Sequence, residues 1–270
     1  MKKVVLITGC SSGIGRDVAF ALKEEFHVIA TARKEADVKK LADAGFEAYK
    51  LDVTSSEDID AIVEHIKQNY PLYALFNNAG YGQPGAVEDI SKKAVQEQFA
   101  VNLFGMWELT TKLLPLFRSQ GYGRIINHSS VLGLISLRFR GAYNASKYAI
   151  KGFSDTLRLE LAGSGIYVST INTGPVESDF RKNAIAKFFE NVPHYKNSFF
   201  AKEYEAELLA QERKNDNFTE PSSVVIANIK HALKAKMPKP RYYNTKATFL
   251  LGFLKRVLPT AFLDKILVKI

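Results

Sequence analysis

The strongest constraint on this chain is an alternation. Short apolar runs rich in β-branched residues trade places with longer stretches whose apolar residues recur at helical spacing. Val4-Val5-Leu6-Ile7 is the first such run; it ends at a glycine-rich turn and reads as a buried strand. A helical pattern follows over about residues 14–24, with Val18, Ala19 and Leu22 on one face. Strand patterns recur at 28–30, 46–51, 72–76, 124–128 and 167–171, and helical patterns at 36–44, 59–66, 99–118 and 142–161. With links this short, each strand–helix–strand step is a right-handed crossover, so the fold class is α/β with a parallel sheet covered on both faces. No repeat, low-complexity tract or linker interrupts the pattern, and residues 1–270 are expected to form one domain. The single cysteine, Cys10, leaves no partner for an internal disulfide and fits a reducing compartment.

The turn after the first strand, Thr8-Gly9-Cys10-Ser11-Ser12-Gly13-Ile14-Gly15, stands where a dinucleotide pyrophosphate would meet backbone N–H groups and a helix N-terminus. Gly9 permits the tight turn, and Gly13 and Gly15 let backbone and helix approach closely. That places the chain among doubly wound sheets of the Rossmann type. The spacing is G-x-x-x-G-x-G, which differs from the general G-x-G-x-x-G fingerprint. In such folds the end of the second strand chooses between NAD and NADP, an acidic residue there binding the ribose 2′-OH. Here it reads Thr31-Ala32-Arg33-Lys34, with no carboxylate. Arg33 is suited to a bidentate contact with a 2′-phosphate, with Ser11 close by in the turn, so NADP(H) is the expected cofactor. The alternative is a solvated surface cation at Arg33.

Tyr143 and Lys147 lie one helical turn apart on one face. A lone Tyr-x-x-x-Lys carries no signal. This one follows a strand ending in Asn127-His128-Ser129-Ser130, at the sheet edge where ligands bind in such folds.

Thr8-Gly9-x-x-x-Gly13-Ile14-Gly15, Asn77-Asn78-Ala79-Gly80, Asn102, Ser130 and Tyr143-x-x-x-Lys147 occur together in an order and spacing that resembles the short-chain dehydrogenase/reductase family, over about residues 3–178. Within it the chain is similar to the branch of NADP-dependent hydroxysteroid and retinol dehydrogenases and bacterial aldehyde reductases. The resemblance implies an oxidoreductase that moves a hydride between a nicotinamide and a carbonyl or alcohol. Tyr143 would be the general acid. A free tyrosine has a pKa of about 10, and the Lys147 ammonium would lower it. Lys147 would also hold the nicotinamide ribose. Ser130 would hydrogen-bond the substrate carbonyl; its neighbour Ser129 competes for the role, and the family's spacing from the tyrosine selects Ser130. Asn102, on the preceding long helix, would hold a water relaying protons to Lys147, or serve as a structural cap.

The resemblance further implies that Ser11, Ser12 and Ile14 complete the phosphate turn. Asp52 and Val53 would flank the adenine, Asn78, Ala79 and Gly80 would line the way to the nicotinamide ribose, and Pro175 and Val176 would close over the nicotinamide. Two positions at strand ends depart from the family's habit: Thr173 stands where proline is frequent, and His128 where an aliphatic residue is common; beyond them, Ser178 replaces a frequent threonine. With scattered histidines and no acidic partners at metal spacing, His128 reads as a satisfied strand residue, and no metal is expected. A non-catalytic nucleotide sensor on the same fold is disfavoured, because the whole catalytic set is kept.

Residues 179–219 are expected to form a substrate lid. Phe180, Phe188, Phe189, Tyr195, Phe199, Phe200 and Tyr204 suit either an apolar cleft for a lipophilic carbonyl or a helical pair packed on the core. A homodimer or homotetramer through the long helices at 99–118 and 142–161 follows by analogy.

Charge comes last because it is local. The chain carries 37 Lys+Arg against 28 Asp+Glu, net +9, and residues 230–270 hold all of that excess. The cations do not interleave with stacking aromatics on a nucleic-acid module, so no nucleic-acid partner is expected. They flank Phe249-Leu250-Leu251-Gly252-Phe253-Leu254 and Phe262-Leu263, Ile266-Leu267 and Ile270, which read as two amphipathic helices broken at Pro259. Two readings stand for residues 240–270. One is a flap closing the cleft or packing on a partner subunit; the other is peripheral attachment to an anionic membrane surface. The apolar run at the start of the chain is too short for a signal sequence, and no stretch is long enough to span a bilayer, so a cytoplasmic location is expected.

Overall fold

The structure is a computed structural model and describes residues 2–210 and 218–270. In chain order come β1 (Val4–Ile7), α1 (Gly13–Leu22), β2 (His27–Ala32), α2 (Glu35–Asp43), β3 (Glu47–Lys50), α3 (Ser56–Asn69) and β4 (Leu72–Asn77). Then follow α4 (Lys92–Phe99), a π-helical turn (Ala100–Phe104), α5 (Gly105–Gln120), β5 (Gly123–Ser130), α6 (Gly141–Glu160) and β6 (Ile166–Thr173). The last third adds α7 (Phe180–Asn191), a short α8 (Ala201–Glu203), α9 (Ser223–Lys234), β7 (Arg241–Tyr243), α10 (Lys246–Val257) and α11 (Thr260–Leu267).

All sheet pairings are parallel, in the order β3-β2-β1-β4-β5-β6-β7. The chain winds outward from β1 to β3 and returns to the other side of β1 for β4. The crevice at the carboxyl ends of β1 and β4 is therefore the topological switch point where ligands of such sheets bind. Successive strand residues feed opposite layers. Val5 and Ile7 join α1, α2 and α9 residues such as Val18, Leu41 and Ile229. Val4 and Leu6 join Ile62 of α3, Leu113 of α5 and Leu157 of α6. Burial on both faces is why these strands read as unbroken apolar runs.

Two expectations are corrected. The single helix over 99–118 is α4 and α5 joined through the π turn, and Asn102 lies in that turn. An extra residue is accommodated there, which aims the Asn102 side chain sideways into the protein. The strand β7 was not expected. It exists because Arg241, Tyr242 and Tyr243 pair with Thr170, Ile171 and Asn172. The two C-terminal helices break where expected, with Pro259 at the start of α11.

Candidate active site

The glycine turn forms a cradle at the switch point. Gly9 and Gly13 have φ of 72° and 55°, the left-handed region. A Cβ on Gly9 would lie 2.9 Å from the Ala79 Cα, and one on Gly15 would lie 2.3 Å from the Gly9 carbonyl oxygen. The turn is fastened to the end of β4: the Thr8 hydroxyl accepts from the backbone N–H groups of Asn78 and Ala79, each at 2.9 Å. The Asn78 amide donates to the Thr8 and Gly9 carbonyls at 3.0 and 3.1 Å. At the start of α1, Ser12 makes no side-chain cap bond and the first turn holds no acidic residue. Those N–H groups face no carboxylate, which suits an anion. Arg33 is exposed just past β2, with no salt-bridge partner among the described residues. The residues present thus fit a dinucleotide. Cys10 takes no part: its buried thiol donates to the Ile7 carbonyl, and burial pushes its pKa up to about 12.

At the far side of the switch point, Asp52 follows β3. Its carboxylate accepts from the Thr54 backbone N–H at 3.0 Å, and Val53 is buried beside Gly105. Gly80 lies beside the Asn102 amide, and Pro175 and Val176 follow β6, where Val176 bridges to Glu220.

Ser130, Tyr143 and Lys147 come together across β5 and α6. Ser130 ends β5; its hydroxyl donates to the Thr173 carbonyl at 3.3 Å, accepts from the Leu132 N–H at 3.1 Å, and sits near enough to Tyr143 to ease its ionisation. The competing Ser129 turns instead toward the Lys147 carbonyl, 3.5 Å away. Lys147 Nζ donates to the His128 carbonyl at 2.8 Å and lies 5.5 Å from the Tyr143 ring centre.

The ionisation of this pair corrects the expected one. Burial pushes Tyr143 up to about 12, against a smaller lowering by the neighbouring Ser130 hydroxyl. Burial also pushes Lys147 down to about 7. Loss of water dominates both shifts. What the site holds is a neutral phenol with a hydroxyl near it, a proton donor beside a polar oxygen.

Of the two readings for Asn102, the side-chain contacts match the structural one. Its carbonyl oxygen accepts from the Tyr81 N–H at 3.0 Å, and its amide donates to the Tyr81 carbonyl at 3.0 Å and the Ser146 hydroxyl at 3.1 Å. The side chain is a brace between the loop after β4 and α6.

The two strand-end departures from the family pattern turn out to be one feature. His128 Nδ1 lies 3.0 Å from the Asn78 carbonyl oxygen, and Nε2 lies 3.0 Å from the Thr173 hydroxyl. The Asn78 amide nitrogen is spent on Thr8 and Gly9, so the Asn78 oxygen must accept and Nδ1 carries the proton. Thr173, which accepts from Asn244 at 2.9 Å, is then free to donate to Nε2. Burial, with the nearby Lys147 charge, lowers His128 to about 3, so the ring stays neutral. The chain of bonds runs from the glycine turn through Asn78, His128 and Thr173 to Asn244, across the ends of five neighbouring strands. Sequence reasoning named Asn78, His128 and Thr173 singly and missed both their connection and Asn244; the paired departures were its only signal.

A cavity of about 80 Å³ adjoins Tyr143, lined by Leu132, Gln83, Phe180, Ala184, Ile185 and Leu208 among others. Of the aromatics in the expected lid, Phe180 reaches the site, 5.5 Å from the Tyr143 ring. Phe188 and Tyr204 are fully buried in a separate cluster with Phe139, Val192 and Leu208, joined by Tyr195 and Phe200. The aromatics of this segment thus divide between the cavity wall and a packed cluster. The expected lid also includes 211–217, which lie outside the described residues. The other wall behind Tyr143 is C-terminal: Leu251, Leu263 and Leu267 pack with Tyr143, Val131 and Leu132.

Comparison with known proteins agrees with this geometry. The family model "short chain dehydrogenase" matches residues 3–187. The chain is 41% identical to the uncharacterized oxidoreductase YbbO of Escherichia coli, over 99% of this chain and 94% of that one. It is 32% identical to human retinol dehydrogenase 16, over 98% and 87%. A short-chain dehydrogenase from Streptomyces avermitilis superposes with a TM-score of 0.77 at 28% identity, covering 98% of this chain and 93% of that one. Actinorhodin polyketide ketoreductase with NADPH superposes at 0.75 with 26% identity, covering 93% and 97%. The chain is an oxidoreductase of the short-chain dehydrogenase/reductase family.

Proposed function

We propose that the chain is an NADP(H)-dependent reductase of lipophilic aldehydes or ketones, able to run in reverse on the alcohols. The observation that carries this reading is the neutral Tyr143 phenol at the wall of a largely apolar cavity, with Lys147 close to its ring and Ser130 near its hydroxyl. The bound nicotinamide supplies the hydride. Ser130 holds the carbonyl oxygen, and Tyr143 gives that oxygen its proton. Lys147, close to the Tyr143 ring, stabilises the phenolate left behind. Asn102 keeps α6 and the loop after β4 in register.

NADP(H) preference rests on Arg33, exposed beyond β2 with no carboxylate beside it to bind a 2′-OH. Likeness to a retinol dehydrogenase favours a second reading, oxidation of a hydroxysteroid or retinoid alcohol at the same residues. A homodimer or homotetramer would form on the outer faces of α5 and α6, where Phe104, Trp107 and Tyr148 are exposed; light scattering tests it.

The deciding experiment follows NADPH fluorescence with a panel of aldehydes, ketones and quinones, and NADP+ reduction with retinol and steroid alcohols. Wild type should turn over at least one lipophilic substrate, and Tyr143→Phe should lose about 10²–10⁴-fold. No turnover by wild type in either direction sinks the enzymatic reading. Arg33→Ala should shrink the ratio of NAD to NADP dissociation constants; an unchanged ratio removes the NADP assignment.

A further inference from the structure

Helices α10 and α11 each bury one side and leave the other bare. On α10, Ala247, Thr248, Leu251 and Gly252 face the protein. Opposite them, Phe249, Leu250, Phe253 and Val257 are exposed, Phe249 and Phe253 each to 60%. On α11, Leu263 and Leu267 face inward. Phe262, exposed to 60%, and Ile266 continue the bare stripe one turn apart. Large aromatics left in water on two consecutive helices form a patch of the kind that marks a contact surface.

The charge around the stripe says what kind of contact. Lys246 and Arg256 lie beside it on α10, and Lys265 and Lys269 beside it on and just after α11. At helical spacing, Asp264, the sole acidic residue of this segment, falls on the opposite side of α11 from Phe262. Residues 246–270 carry five cations, Lys246, Lys255, Arg256, Lys265 and Lys269, against Asp264 alone, so the two helices are themselves cationic. An apolar stripe bordered by cations complements a layer with an acyl interior and anionic headgroups, and stable attachment there needs both signals. None of the described helices is long and apolar enough to cross a membrane, so the contact is one of lying on the surface.

We propose that the outer face of α10 and α11 is a docking surface for an anionic lipid bilayer, with both helices lying in the headgroup plane. The inner face of the same helices, through Leu251, Leu263 and Leu267, packs against Tyr143. Docking therefore sets the catalytic pocket within one helix thickness of the lipid, roughly 10 Å. If the carbonyl reading above is correct, this gives a membrane-dissolved substrate a short route in. The docking itself does not depend on that reading.

The test is co-sedimentation of the purified full chain with vesicles of phosphatidylcholine alone and with one-fifth phosphatidylserine, at low and high salt. Wild type should pellet with the anionic vesicles and leave them as salt rises. Phe253→Ser/Phe262→Ser should lose the pellet at any salt. Lys246→Glu/Arg256→Glu/Lys265→Glu should lower partitioning by more than about a hundredfold, since each cation near such a surface contributes about a fivefold factor. Both variants should keep the wild-type Tm and nucleotide affinity, which separates lost docking from lost fold. Wild type remaining in the supernatant with anionic vesicles at low salt overturns the proposal. So does pelleting that the phenylalanine variant retains, because charge alone would then explain it. A smaller oligomer for that variant in sedimentation equilibrium would reassign the face to contact between copies of this chain.

Discussion

Two polar clusters at different places in the sheet treat histidine and charge in opposite ways. At the carboxyl ends of β4, β5 and β6, His128 sits between an amide oxygen and a hydroxyl, with Lys147 held on its backbone carbonyl. Burial there drives both groups toward their neutral forms, His128 to about 3 and Lys147 to about 7. At the start of β3, Glu47 accepts from Tyr49, Tyr70 and the ring nitrogens of His27 and His65, at 2.6–3.0 Å. Four donors hold its carboxyl down at about 2 despite the opposing effect of burial. One cluster strips charge from groups beside the proposed active site. The other fixes a charge permanently and ties β2, β3 and α3 together with it. The first should govern rate and the second stability.

Lys147→Met separates them most sharply. The rate should fall by about 10²–10⁴-fold, the scale of losing an acid–base partner. Tm should hold or rise, because a buried ammonium that water would stabilise has been replaced by an apolar chain of similar length. A Tm loss of many degrees would make Lys147 a structural residue. Glu47→Gln should do the reverse. Buried donors lose a charged acceptor at a cost of about 1–3 kcal/mol, and in a chain of this size each kcal/mol lowers Tm by about 2–4 °C. Steady-state constants should stay at wild-type values. Altered kcat with unchanged Tm would erase the distinction between the clusters.

The two clusters were unequally visible in the sequence. Ser130, Tyr143 and Lys147, which the structure brings together, could be named because their elements are local: a strand end, a tight turn and a single helix face carry them. Strands β1, β2 and β4 showed as apolar runs because both their faces are buried. Glu47 gave no signal, since three of its four partners are 20, 18 and 23 residues away and meet it only through sheet pairing and the packing of α3. Strand β7 was hidden for the same reason, being three residues defined wholly by their pairing with β6. The break at Ala100–Phe104 was hidden because helical periodicity continues through it. Composition also could not separate Phe180, at the pocket, from Phe188 and Tyr204, which pack on each other.

The smallest expected effect concerns pH, and it orders the two clusters in acid. His128 has a folded pKa of about 3, below its ordinary 6.5, so the unfolded chain takes up a proton that the folded one refuses. Its contribution is thus a loss of stability as pH falls from 6.5 toward 3. Glu47 is also lowered, from 4.5 to about 2, and for a carboxylate this is stability present above 4.5 and lost as pH falls through 2. The catalytic edge should therefore begin to weaken first. His128→Gln keeps one donor and one acceptor for Asn78 and Thr173 and removes the titration. Denaturant unfolding of this variant should match wild type near pH 7 and show a flatter decline between 6.5 and 4.5, while Glu47→Gln keeps the wild-type slope there and departs only below 4.5. Identical slopes for His128→Gln and wild type above 4.5 would mean that the buried ring does not set the acid limit of the catalytic edge.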